Sequence, residues 1–492
     1  MQTAGLARRL ATERRRPEWV RARPDAWRLA VATVCLGGFM GQLDASIVTV
    51  ALPTLQRDLH AGVTAVAWVG LAYLVTLVST VGVVGRVSDV VGRKLVYVYG
   101  FGVFTVASAL CAIAPSLGVL LAFRVLQGLG AAMLQANSVA IVALAAPRAR
   151  VGRAIGVQGA AQALGLAAGP TVGGVLLALG GWRLLFILNV PAGLVAIVLG
   201  ILLIPRSTQL RHGARVDATG LALLVLAVAG GLCAISLTGV RGAGATAAVL
   251  GAAAIGLVVA FVAHERRAAT PLLDVEVLAN RAVGLGVAGA GASYAVLFGV
   301  LVAAPFYLER GLGLGVAGTG LALAAMTVAM GIAAPLAGHA SERVGTRALS
   351  VAGMAVCAVA LAGLAVANGS AGAVAAWLAL VGMGAGCFTP TNNAAALRAA
   401  PMRNAAEVSG LLNMGRGLGT AVGVAVTSVL LSVAAGTWAS GRATAVVAWV
   451  LCAVAAGGAV LAEAASRGTA STSGARASRG RPTRLDRPAG RP

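Results

Sequence analysis

The sequence predicts an all-α polytopic membrane protein of fourteen transmembrane helices. Three observations carry this: apolar runs of membrane-spanning length recur end to end, basic residues alternate between connecting loops, and two stretches repeat about 253 residues apart. Of 492 residues, 59% are hydrophobic and 11% charged, which leaves too little polar surface for a water-soluble chain of this size.

Apolar runs separated by charged or turn-rich breaks place spans near 29–52, 64–84, 95–114, 117–144, 154–180, 184–204 and 218–238, then 245–263, 282–304, 317–337, 349–367, 372–396, 408–435 and 443–463. The first run is too long for a signal-peptide core, so the N-terminus is expected to be retained. An even count puts both termini on one side. Of 38 basic residues, Arg124 and Arg416 fall inside spans, and Arg57, Arg183, Arg241, Arg310 and Arg442 fall on one side. The remaining 31 fall on the other, which makes that side, with both tails, cytoplasmic.

Gly85-Arg-Val-Ser-Asp-Val-Val-Gly-Arg-Lys94 aligns with Gly338-His-Ala-Ser-Glu-Arg-Val-Gly-Thr-Arg347. At an offset of 254, Pro147/Pro401, Gly156/Gly410, Leu164/Leu418, Gly165/Gly419 and Gly169/Gly423 also coincide. The repeat displaces span 2 to span 10, eight spans on, so six-helix units flank two inserted helices in a 6 + 2 + 6 order, related by an axis along the membrane normal. The expected organisation is a basic tail (1–28), a six-helix bundle (29–204), two inserted helices (205–264), a second six-helix bundle (265–463) and a disordered cytoplasmic tail (464–492), the last for its Ser, Gly, Arg and Pro content.

Several functions are excluded. The net charge of +23 sits in tails and alternate loops rather than on a basic module, so no nucleic-acid partner is expected. The six cysteines all lie within apolar runs without metal-site spacing, so neither a disulfide nor a metal is expected. The single lysine, Lys94, precedes leucine and builds no phosphate-binding loop, and no enzymatic constellation or cofactor site appears.

These residues resemble the major facilitator superfamily, specifically its fourteen-span drug:proton antiporter branch, over nearly the whole chain outside the tails. Gly85 to Lys94 resembles the family's loop motif between spans 2 and 3, and Arg124-Val-Leu-Gln-Gly-Leu-Gly130 its span 4 arginine motif. Gly165-Leu-Ala-Ala-Gly-Pro-Thr-Val-Gly-Gly174 resembles the span 5 motif associated with exporters, and Leu43 to Pro53 the span 1 motif of that branch. Thr346 departs from the pattern, standing where the first copy has Arg93. The resemblance implies an efflux pump in the cytoplasmic membrane that exchanges drugs, antibiotics or natural products for protons, with uptake of a small metabolite as the alternative. It also implies a proton-coupling role for Arg124. The expected partners are a small-molecule substrate, protons and the bilayer, with the chain acting as a monomer.

Asp44 is the one acid expected well inside a span. A carboxylate there is costly and faces a bundle interior or a watery cavity, where it is placed to bind and release a proton. A structural carboxylate held by hydrogen bonds would satisfy the same placement. Arg124, Gln127, Gly128, Ala131 and Gln135 share one face of span 4, a polar stripe turned from lipid. Arg124 either couples protonation to conformation or bridges to carbonyls or Asp44; for Arg416 a structural bridge is the plainer reading. Gly165, Gly169 and Gly173, with Pro170 and Gly174, suit close packing and a hinge. Gly85, Asp89, Gly92, Arg93 and Lys94 are read as a short loop, turned at its glycines, that latches helix ends. Gln42, Gln127, Gln135, Asn393, Asn413 and Arg416 are the candidate cavity residues, with Gln158, Gln162, Asn189 and Asn392 as further polar groups in spans.

Overall fold

The structure is a computed structural model that describes residue 13 and residues 16–147, 150–207, 217–240, 242–268, 272, 275–366, 370–400, 404–433 and 442–479. Among these, fourteen helices are long and apolar enough to cross a membrane, and no strand occurs. They are α1 (Ala26–Val50), α2 (Val63–Val91), α3 (Arg93–Ala112), α4 (Leu117–Ala145), α5 (Val151–Gly180), α6 (Arg183–Leu203) and α7 (Ala218–Leu237). There follow α8 (Gly244–Glu265), α9 (Arg281–Phe306), α10 (Val316–Val344), α11 (Thr346–Val366), α12 (Ala371–Arg398), α13 (Ala405–Val433) and α14 (Arg442–Arg479). The basic positions Arg148, Arg211, Arg215, Arg241 and Arg403, the repeat partner Pro401, and residues 1–12 and 480–492 lie outside the described residues.

Polar side chains start several helices where the apolar run begins. Ser116 accepts from Val119 N at 3.5 Å, Asp217 from Gly220 N at 2.9 Å and Asn280 from Ala282 N at 3.1 Å, each satisfying a backbone donor that the helix start leaves open. α14 runs through Arg479, past the expected start of a disordered tail at residue 464.

The repeat reappears as packing. In the first half α1 packs on α5 and α2 on α4; in the second α9 packs on α13 and α10 on α12. Gly165 and Gly169 bring α5 against Phe39 and Ser46 of α1, and their repeat partners Gly419 and Gly423 bring α13 against Gly291 and Ala295 of α9. A Cβ at any of the four would collide with the facing helix, so the glycines set these distances. Gly173 continues the seam against Ile47, while Gly174 meets Gly320 of α10, where the halves join; the Pro170 carbonyl faces the same Gly320. The equivalent junction joins α13 to α2, Gly417 facing Val78. The inserted α7 packs on α8 and touches both α2 and α13, with His264 Nε2 2.8 Å from Asp217 Oδ2 tying the ends of the pair. Outward-turned Val249, Ile255, Val258 and Val259 on α8 suit lipid rather than water.

The loop between α2 and α3 differs from its expected form. Gly85 to Val91 are the last turns of α2, Arg93 and Lys94 already belong to α3, and only Gly92 breaks the helix, at φ 118°. Gly345 breaks α10 from α11 at φ 88°, 253 residues later. One left-handed residue suffices to reverse the chain, and glycine adopts that conformation without a Cβ clash. Gly85 makes no turn; it faces Ala136 on α4.

Candidate functional site

Asp44 and Arg124 meet at the centre of the first half, both fully buried. Arg124 Nη1 lies 2.5 Å from Asp44 Oδ2. The other carboxylate oxygen, Oδ1, accepts from Gln127 Nε2 at 2.8 Å and from Asn189 Nδ2, on α6, at 2.9 Å. Arg124 also donates through Nε to the Val69 carbonyl at 2.8 Å and through Nη1 to Gln127 Oε1 at 2.5 Å. The Tyr73 ring covers the guanidinium at 4.5 Å, with Phe186 at 5.7 Å. Gln127 donates its second proton to Ser108 Oγ at 2.8 Å. Four helices thus touch one charge pair, with both carboxylate oxygens and the Nε and Nη1 donors hydrogen-bonded, which offsets much of the cost of keeping such a pair in a dry interior.

A cavity of about 770 Å³ reaches inward between the halves from the end of the bundle that carries Asp89, Arg93 and Ser207, here called the tail face. Its walls include Ser79, Arg86, Asn137, Glu407 and Ser409. Its deep end passes into a smaller pocket lined by Gln42, Tyr73 and Gln135 from the first half and Tyr294, Phe298, Asn413 and Arg416 from the second. Tyr73 and Phe298 also wall a separate small void beside Arg124, so these two aromatics separate the pocket from the buried pair.

The opposite face is closed. Besides the Gly174–Gly320 junction, Arg57 Nη2 lies 3.3 Å from Glu309 Oε2, and Arg310 Nη2 donates to Gln56 Oε1 at 2.6 Å. Glu309 and Arg310 sit in a π-helical turn (Tyr307–Gly311) that extends α9 beyond its expected end at 304. At the repeat offset of 253, Gln56 corresponds to Glu309 and Arg57 to Arg310, so each arginine reaches the residue preceding its own counterpart. Such partly exposed contacts contribute about 0–1 kcal/mol each, enough to bias two states of similar energy. Arg57→Glu is therefore expected to open this face, speeding maleimide labelling of a cysteine placed at buried Thr49 in a cysteine-free background by about two- to fivefold. The Arg57→Glu/Glu309→Arg pair should restore the slow rate; equal rates in all three would remove the gating role.

Of the expected cavity residues, Gln42, Gln135, Asn413 and Arg416 line the central pocket. Gln127 instead belongs to the Asp44 cluster, since the face it shares with Arg124 turns toward α1 and α3. Asn393 lies away from the pocket on α12, and Asn392 beside it donates to the Gly286 carbonyl at 2.9 Å. On α1, tyrosine hydroxyls pack against Gly37 and Gly41: Tyr97 donates to the Val34 carbonyl at 3.1 Å and Tyr73 to that of Gly41 at 3.3 Å. In the tail-face segment Asp89 pairs with Arg93 at 2.8 Å, and Lys94 Nζ donates to the Ile201 carbonyl at 2.8 Å. Glu13 binds there as well, accepting from Leu95 N at 3.2 Å and Ser207 Oγ at 2.8 Å. The sequence marks Asn189 as a polar group that could line the cavity but not as a partner of Asp44, and it carries no signal for Tyr73, Tyr294 or Phe298.

A family model described as Major Facilitator Superfamily matches residues 34–217 and 285–488. Multidrug resistance protein Stp of Mycobacterium tuberculosis is 32% identical over 413 residues, covering 82% of this chain and 76% of its own. The tetracenomycin C resistance and export protein of Streptomyces glaucescens is 29% identical over 418 residues, covering 84% and 77%. The riboflavin transporter RibZ of Clostridioides difficile is 29% identical over 402 residues, covering 81% and 87%. Among solved structures, a bacterial homologue of the human lysosomal transporter Spinster, in an inward-facing and unoccupied conformation, shares the fold with a TM-score of 0.66 at 16% identity, covering 90% of this chain and 98% of that one.

Proposed function

Because the chain belongs to the major facilitator superfamily, and is thus a membrane transport protein rather than an enzyme, we propose that it is a proton-driven exporter of drugs, antibiotics or natural products. Supporting the direction are the resistance and export names of two relatives and the glycine pattern of α5. The bias of basic residues supports a cytoplasmic tail face, and the reading as an exporter puts the protein in the cytoplasmic membrane. On that assignment the cavity opens to the cytoplasm, ready to receive cargo.

The observation that carries the reading is a fully buried ion pair beside, but sealed from, a cavity open at one face. A proton arriving at Asp44 competes with Arg124 for the same oxygen, since a neutral carboxyl group no longer holds the guanidinium by charge. Protonation therefore frees Arg124, whose void is walled by Phe298 and Val424 of the other half as well as by Tyr73. Through these contacts the charge state of Asp44 biases how the halves meet, which is the requirement for coupling by alternating access. Gly165, Gly169, Pro170, Gly173 and Gly174 form the seam and hinge on which the halves rock. Asp89, Arg93 and Lys94, with Gly92 as the turn and Gly85 on the α4 contact, act as the cytoplasmic latch when that side closes.

The test is accumulation of antibiotics and dyes by everted vesicles containing the protein. Export predicts accumulation under a proton gradient and its collapse when an ionophore is added. Proton-driven loss of preloaded compound from such vesicles would instead show uptake into the cell.

A further inference from the structure

Arg416 and Arg124 are both arginines within spans, yet their surroundings are opposite. Arg124 donates through Nε and Nη1 to Val69, Asp44 and Gln127, and its charge is matched by the Asp44 carboxylate. Arg416, half-buried at the deep end of the cavity, makes among the described residues only a 3.4 Å bond from Nε to the Leu412 carbonyl, with its guanidinium 5.7 Å from the Tyr294 ring. No carboxylate pairs with it among the described residues, and no acidic side chain lines its pocket. The acids of the wider cavity, Asp89 and Glu407, lie toward the tail face, where Asp89 is already paired with Arg93 and Glu407 accepts from Asn404.

A guanidinium partly removed from water, whose Nη groups have no partner among the described residues, favours any ligand that brings a negative charge and planar oxygens. The same charge repels a cation more strongly there than it would in bulk water. Beside it Tyr294 and Phe298 stack on each other at 6.2 Å, and Tyr73 lies across the pocket. These rings offer flat apolar faces, while the Gln42, Gln135 and Asn413 amides supply neutral polar contacts.

We propose that Arg416 is the specificity-determining residue of the central pocket and selects aromatic anions, compounds carrying a carboxylate, phenolate or sulfonate on a planar ring system. The inference names the cargo class for the export reading and rests on it for direction of movement, but not for binding. Exchange of a monoanion leaving for a proton arriving moves two charges in the same electrical sense, so membrane potential would drive such cargo more strongly than a neutral one.

The experiment compares two xanthene dyes of similar shape, anionic fluorescein and cationic rhodamine 123, binding to the purified full-length protein in detergent at pH 8 by fluorescence polarisation. The wild type should bind fluorescein at least about tenfold more tightly, as one charge-assisted contact would give. Arg416→Gln should remove most of that preference, and Arg416→Lys, which keeps the charge, should retain it to within a few-fold. Fluorescein binding no tighter than rhodamine 123, including none, overturns the proposal. So does an unchanged preference in Arg416→Gln, or loss of it in a folded Arg416→Lys protein. Proton-driven accumulation of the cationic dye alone would sink this inference and leave the exporter standing; Arg416-dependent fluorescein binding without any proton-driven movement would do the reverse.

Discussion

Asp44→Asn is expected to abolish proton-driven accumulation in everted vesicles, a fall of at least about tenfold to the level of vesicles lacking the protein, while cargo still binds. Asparagine keeps the size of aspartate and some of its hydrogen bonding but has no proton to take up or release in the working range. Asp44 is fully buried and does not line the central pocket, so its loss should leave binding there within a few-fold of wild type. Arg124 would retain the Val69 carbonyl, Gln127 and the Tyr73 face, which should keep the helices assembled. Binding is read by dye polarisation and coupling by accumulation. Accumulation near the wild-type level would remove Asp44 from the coupling mechanism and leave it as a structural carboxylate.

Arg124→Ala should act on stability first. Removing one partner of a buried pair leaves the other charge desolvated, at a cost of about 3–5 kcal/mol. Asp44 would keep its bonds from Gln127 and Asn189, but these neutral donors do not replace a guanidinium. The double variant Asp44→Asn/Arg124→Gln, which carries no buried charge, should recover much of the loss while transport stays absent. Thermal unfolding in detergent, followed by size-exclusion recovery, reads this directly. If Arg124→Ala melted like the wild type, or the double variant were less stable than both single ones, the pair would not be the organising contact of the first half.

The architecture was legible because its physical causes are local. A span needs only some twenty apolar residues, and a repeat shows itself as matched residues, so the fourteen helices and the equivalent α1–α5 and α9–α13 seams follow from patterns along the chain. The partners of Asp44 were less legible: Arg124, Gln127 and Asn189 lie 80, 83 and 145 residues away. Helical periodicity showed that Arg124 and Gln127 share a face but not what that face meets, and so placed Gln127 on the cavity. It also did not show that Arg124 would bond to Asp44, Gln127 and Val69 while the Nη groups of Arg416 meet no partner among the described residues. Gly85 was read as a turn because a glycine beside charged residues suggests one, whereas the helix continues to Gly92, where the positive φ is required.

In a proton-driven exporter, movement of cargo and movement of protons are obligatorily exchanged. The most direct measurement uses purified protein in proteoliposomes containing a pH-sensitive dye, with a gradient of a transported compound and no imposed pH difference. Protons should move against the direction of the compound in wild-type liposomes, and no proton movement should accompany the compound in Asp44→Asn liposomes. Cargo moving in wild-type liposomes without proton flux, or with protons travelling in the same direction, would contradict the account.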